Sequence, residues 1–113
     1  MKRVFSICVF LLMLGVTAAQ QSTNNVANNT FEETKAKAEK GDAIAEQNLG
    51  VYYALGQSVT NNDSEAAKWY RKAAEQGFAE AQLDLGRCFD SGKGVTKDSA
   101  EAAKWYQRSG NNP

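Results

Sequence analysis

Histidine does not occur in this chain, proline occurs once, as the final residue Pro113, and cysteine occurs twice, as Cys8 and Cys88. Each shortage closes off a class of protein. Without histidine the chain lacks the commonest acid–base residue and the commonest metal ligand. Two cysteines, one of them inside an N-terminal apolar run, make neither a zinc set nor a cysteine–histidine nucleophile. The want of proline leaves residues 31–112 free of the strongest helix breaker. Charge of one sign is not in excess: 13 basic residues face 13 acidic ones. Nothing in that balance draws the chain to nucleic acid or to anionic lipid.

One long apolar run is present, at the start. Lys2 and Arg3 precede an apolar stretch from Val4 to Gly15, and Thr17-Ala18-Ala19 supply small residues suited to cleavage. That order is the three-part pattern of a secretory signal peptide over residues 1–19. The run covers 12 residues, whereas a membrane span needs about 20, so no stable membrane anchor is expected after cleavage. Removal leaves 94 residues with 11 basic and 13 acidic side chains, and Cys88 as the remaining thiol. An internal disulfide is then impossible. Two states of Cys88 stay open: an inert, partly buried thiol, or a disulfide-linked homodimer in an oxidising compartment.

Residues 20–30 (QQSTNNVANNT) are polar and without apolar periodicity, which reads as a disordered spacer. From Phe31 onward Ala, Glu, Lys and Gln dominate, a helix-forming composition. The hexapeptide EAAKWY then appears twice, at 65–70 and 101–106. Residues 41–76 and 77–112 agree at 14 of 36 positions, among them Gly41/Gly77, Ala45/Ala81, Leu49-Gly50/Leu85-Gly86 and Gly56/Gly92. Agreement spread over a whole period marks a repeated structural unit. The chain therefore divides into a partial repeat of one helix (31–40), a first repeat (41–76) and a second (77–113).

Each repeat reads as two helices. Ala45, Leu49, Tyr52 and Tyr53 recur at i, i+4, i+7 and i+8, one helical face, and Ala81, Leu85, Cys88 and Phe89 repeat it. Gly56 and Gly92 suit the left-handed exit of that helix. The second helix opens on a capping pattern, Asn62-x-x-Glu65 and Asp98-x-x-Glu101. Its apolar stripe is Ala66, Trp69, Tyr70 and Ala73, then Ala102, Trp105 and Tyr106. Five helices are predicted, at 31–40, 43–54, 63–76, 79–90 and 99–109, with Trp69 and Trp105 in equivalent interior positions. Small alanines let helices approach, and the aromatic pair fills the space beside them. Ser58 stands where the second repeat has Gly94, so the two inter-helix turns are expected to differ slightly.

The segments AEQNLGVYYALGQSVTNNDSEAAKWYRKAAEQG and AQLDLGRCFDSGKGVTKDSAEAAKWYQRSG resemble Sel-1-like repeats, relatives of the tetratricopeptide repeat, over roughly residues 31–109. The resemblance implies an all-α fold: a short right-handed superhelix of antiparallel helix pairs, a solenoid whose concave face binds proteins or peptides. Some secreted members carry paired cysteines that staple each repeat; this chain departs from that subgroup. Two repeats and a fragment are few, since such units bury their faces only by stacking. Marginal stability and stacking between chains at the C-terminal end are therefore expected.

No enzyme chemistry emerges, and no metal or cofactor is expected. SGKGVT at 91–96 lacks the earlier glycine of a phosphate loop, Arg87 standing in its place, and has no Ser or Thr after Lys93. Asp84, Asp90 and Glu101 have the spacing of solvated helix positions. Asn28-Asn29-Thr30 and Asn62-Asp63-Ser64 are glycosylation sequons, relevant only in a eukaryotic secretory pathway. The favoured reading is a secreted or periplasmic interaction module or adaptor docking a protein or peptide. A cell-envelope or host-directed protein recognising peptidoglycan or a surface component is the alternative, and a β-lactam hydrolase the weaker third. If Leu49-Gly50 and Leu85-Gly86 match the leucine–glycine step of tetratricopeptide helices, the face beside the core carries Ile44, Gln47 and Val51 in the first repeat. Glu80, Leu83 and Arg87 follow in the second, with Asp90 a turn further on. These seven are the candidate partner-binding residues.

Overall fold

Helix follows from composition and is stopped by glycine. In the computed structural model, which describes residues 30–111, the first helix, α1, occupies residues 30–39. After it come α2 (Ala43–Leu55), α3 (Asp63–Glu75), α4 (Ala79–Ser91) and α5 (Ser99–Asn111). These bounds lie within one or two residues of the predicted ones. The predicted signal sequence and nearly all of the predicted spacer lie outside the described residues; Thr30, the last position of that predicted spacer, is helical. No helix among the described residues is long and apolar enough to cross a membrane.

Residues 31–111 belong to one compact unit. α2 packs on α3, α3 on α4, and α4 on α5. Each repeat is thus a helical hairpin, and the second hairpin leans on the first through α3 and α4. The hairpins close by the same devices. Gly56 and Gly92 take left-handed φ of 69° and 74°, and their N–H groups reach back to the carbonyls of Tyr52 and Cys88. The side chain of Asn62 accepts from the Glu65 N–H, and that of Asp98 from the N–H groups of Ala100 and Glu101. The reciprocal half of the capping pattern is not formed. Glu65 and Glu101 turn instead to Lys68 and Lys104, at 3.0 and 3.2 Å.

The turns did not diverge as expected. Ser58 adopts φ of 61°, in the same region as Gly94 at 74°. Both must turn the chain the same way into a capped helix, so serine accepts a left-handed backbone that glycine takes without penalty.

The core is built from the repeated letters. Leu49, Leu85, Ala73 and Ala81 are fully buried, with Ala66, Ala74, Ala102 and Phe89 nearly so. Phe31 of the partial repeat is buried too, edge-on to the rings of Tyr52 and Tyr53 at 5.3 and 6.3 Å. The tryptophans, however, are not equivalent. Trp105 is buried, in a cluster with Tyr70, Ala73 and Leu85, whereas Trp69 is half-buried at the edge of the Phe31–Leu49 cluster. One period before Tyr70 and Ala73 the chain carries Thr34 and Lys37, so α1 offers Trp69 a poorer surface than α3 offers Trp105. The tyrosines reverse this order: Tyr70 is buried and Tyr106 half-buried. α4 covers α3, and no following repeat covers α5 among the described residues.

Candidate partner-binding groove

Four polar side chains on α2 and α4 set the surface between the repeats. Gln47 is buried, and its Nε2 donates to Asp84 Oδ2 at 2.6 Å, a bond from α2 to α4. Asp84 Oδ1 meets the Arg87 guanidinium at 3.2 Å. Asp84 thus holds two donors, and the carboxylate fixes which end of the Gln47 amide faces it. The Gln47 Oε1 is buried without a partner among the described residues. On the second repeat, Asp90 Oδ2 accepts from the Tyr106 hydroxyl at 3.0 Å.

Asp84, Arg87, Asp90 and Tyr106 line an open cavity of about 420 Å³ that draws residues from all four repeat helices. Ala54, Tyr70, Cys88, Ser91 and Lys93 complete its lining. Asp84, Arg87, Cys88 and Ser91 stand at i, i+3, i+4 and i+7 of α4, so one helical face delivers them together. Ser91 is turned back on its own helix, its hydroxyl donating to the Arg87 carbonyl at 2.9 Å.

Burial sets the ionisation here. It pushes the Cys88 thiol above its ordinary value, and the carboxylates of Asp84 and Asp63 push it further against an opposing Lys93. Tyr70 is raised by burial first and by Asp84 next. Tyr106 is raised by desolvation and by its bond to Asp90. Cys88 is half-buried and makes no disulfide among the described residues, and its burial favours the protonated thiol.

Of the seven candidate residues, the cavity gathers two, Arg87 and Asp90. Gln47 is buried and bonded to Asp84. Val51 is half-buried against the core. Ile44, Glu80 and Leu83 are exposed on α2 and α4 outside the cavity lining. The cavity also holds Ala54, Tyr70, Asp84, Cys88, Ser91, Lys93 and Tyr106, which are not among the seven. The i, i+3, i+4, i+7 spacing from Asp84 was the available signal for the α4 members; the tyrosines carried none beyond their role in packing.

The geometry can hold a ligand by burial and by charge. Among the described residues no group of three or more acidic or cysteine side chains is placed to hold a metal ion. The repeat period, the helix hairpins and the leucine–glycine step all point to one family, and its model, the Sel1 repeat, matches residues 43–78 and 79–112. The chain belongs to the Sel1-repeat family.

Solved Sel1-like structures agree with it in fold. A Sel1 repeat protein from Oxalobacter formigenes superposes with a TM-score of 0.70 at 34% identity, over 71% of this chain and 61% of that one. A protective antigen present in uropathogenic Escherichia coli strains, displaying an SLR fold, gives 0.68 at 42% identity over 68% of this chain. This Sel1-repeat chain spans only 16% of that antigen's length. Helicobacter pylori cysteine rich protein B gives 0.68 at 28% identity, over 70% of this chain and 59% of that one. No curated protein matches the chain at a significant level. The Sel1 fold of stacked, tetratricopeptide-like hairpins is typical of protein–protein interaction scaffolds.

Proposed function

We propose that this Sel1-repeat chain is an exported binding module that docks a protein or peptide in the groove between its two repeats. The observation that carries the reading is the change of letters at the groove. The packing positions repeat from one unit to the next, as in Ala45/Ala81, Leu49/Leu85 and Ala66/Ala102, whereas Val51/Arg87, Ala54/Asp90 and Leu55/Ser91 do not. The packing letters quoted are shared, whereas the α4 members of the 420 Å³ cavity, Asp84, Arg87, Cys88, Asp90 and Ser91, have no identical counterpart on α2. Export is supported by the charged start and short apolar run of residues 1–19. The likeness to a protective antigen supports a location outside the cytoplasm.

The test is site-specific photo-crosslinking in the native host, with the probe at Arg87 or Ser91 and a control probe at Lys68, which is exposed on α3 outside the cavity. Discrete adducts from the groove positions, absent from the control, are expected. Identical adduct patterns from all three positions would remove the groove from the function. Intact mass of the exported protein should correspond to a chain starting at Gln20.

A further inference from the structure

The first helix is held by less than its place in the stack calls for. We propose that α1 is a releasable cap, which opens and closes over α2 while the two full repeats stay folded.

The junction of α3 with α4 shows what a complete contact contains. Ala67, Tyr70, Ala73 and Ala74 of α3 are all buried, the last three in one cluster with Ala81 and Leu85 of α4. Gln82, itself buried, donates from Nε2 to the Ala74 carbonyl at 3.1 Å and fastens α4 to the last turn of α3. One period earlier, the four α3 positions become Phe31, Thr34, Lys37 and Ala38 on α1. Of these only Phe31 and Ala38 are buried; Lys37 is exposed where Ala73 is fully covered. The counterpart of Gln82 is Glu46, also buried. A glutamate has no N–H to give to the Ala38 carbonyl, and the Glu46 Oε1 instead accepts from Gln76 Nε2, within its own repeat, at 2.6 Å. The turns themselves match, since Gly41 and Gly77 donate to the Ala38 and Ala74 carbonyls at 3.0 Å in both. The weakness therefore lies in the side chains. A helix of ten residues has little stability of its own and depends on what it buries. Elements with few buried apolar contacts open locally, below the free energy of global unfolding. Release of α1 uncovers Ala45 and Leu49, which share a buried cluster with Phe31 and Ala38. α3 stays in place because α2 and α4 hold it from two sides.

Amide hydrogen exchange of the full exported chain in native buffer, resolved helix by helix, is the test. Amides of α1 should exchange about tenfold or more faster than those of α3 and α4. Their rate should respond little to low urea, because a local opening exposes little surface. Glu46→Gln supplies the missing donor and keeps an acceptor for Gln76. It should slow α1 exchange about fivefold, the size of one hydrogen bond. Phe31→Ala should abolish the protection of α1 and leave α4 and α5 protected. One rate and one urea dependence shared by α1, α3 and α4 would overturn the proposal. So would an unchanged α1 rate in Glu46→Gln, or loss of protection throughout the chain in Phe31→Ala.

Discussion

Gly50 lies flat against the ring of Tyr70, so close that a methyl group at residue 50 would stand 2.6 Å from two ring carbons. Gly86 makes the same approach to Tyr106, at 2.7 and 2.8 Å. The leucine–glycine step is therefore the contact that lets each hairpin close on its own tyrosine. Gly50→Ala should destabilise the domain by about 1–3 kcal/mol, the cost of overpacking. Gly86→Ala should cost less, because half-exposed Tyr106 has room to swing outward and Tyr70 does not. Urea denaturation of the two variants checks the order.

The two inter-helix turns give opposite predictions for one kind of exchange. Ser58→Gly should stabilise by about 0.5–1 kcal/mol, since it relieves a serine at positive φ. Gly94→Ala should destabilise by about 2 kcal/mol or more: it adds a positive-φ alanine whose Cβ collides with the Asp63 carbonyl. Thermal melts should move in opposite directions.

The tryptophans differ in what their removal exposes. Trp105→Ala should cost about 3–5 kcal/mol, enough to unfold so small a solenoid. Trp69→Ala should cost about 2 kcal/mol or less, in keeping with its half-buried ring. Lys72 lies 4.4 Å from the Trp69 ring centre and Arg108 lies 4.7 Å from that of Trp105, so loss of these cation contacts is common to both. Equal destabilisation would contradict the inequality of the two sites.

Alkaline pH should loosen the fold. The Cys88 thiol and the Tyr70 phenol both have folded-state pKa values raised above their ordinary 9.0 and 10.0. A raised group binds its proton longer in the folded state, so its contribution is complete below the ordinary value and is lost as pH rises beyond it. Stability should be flat near neutrality and fall above about pH 9. Cys88→Ser should flatten the first part of that fall, and Tyr70→Phe the later part. Denaturation midpoints across the range measure both.

What could be read directly from the letters is what depends on near neighbours in the chain. The period of 36 between the EAAKWY copies, the Gly56 and Gly92 exits, the Asn62 and Asp98 caps and the buried Ala81–Leu85 face all follow from helical spacing and backbone preference. Identical letters cannot report what lies against them. Trp69 and Trp105, or Tyr70 and Tyr106, differ because one copy has a neighbouring repeat on a face where the other has a weaker one or none. Gln47, by sequence an outward residue, is buried because Asp84 of the next repeat reaches it across the hairpin boundary. The cavity belongs to no helix alone; packing α2 through α5 together made it, and only that packing brought Asp90 and Tyr106 into one lining with Tyr70.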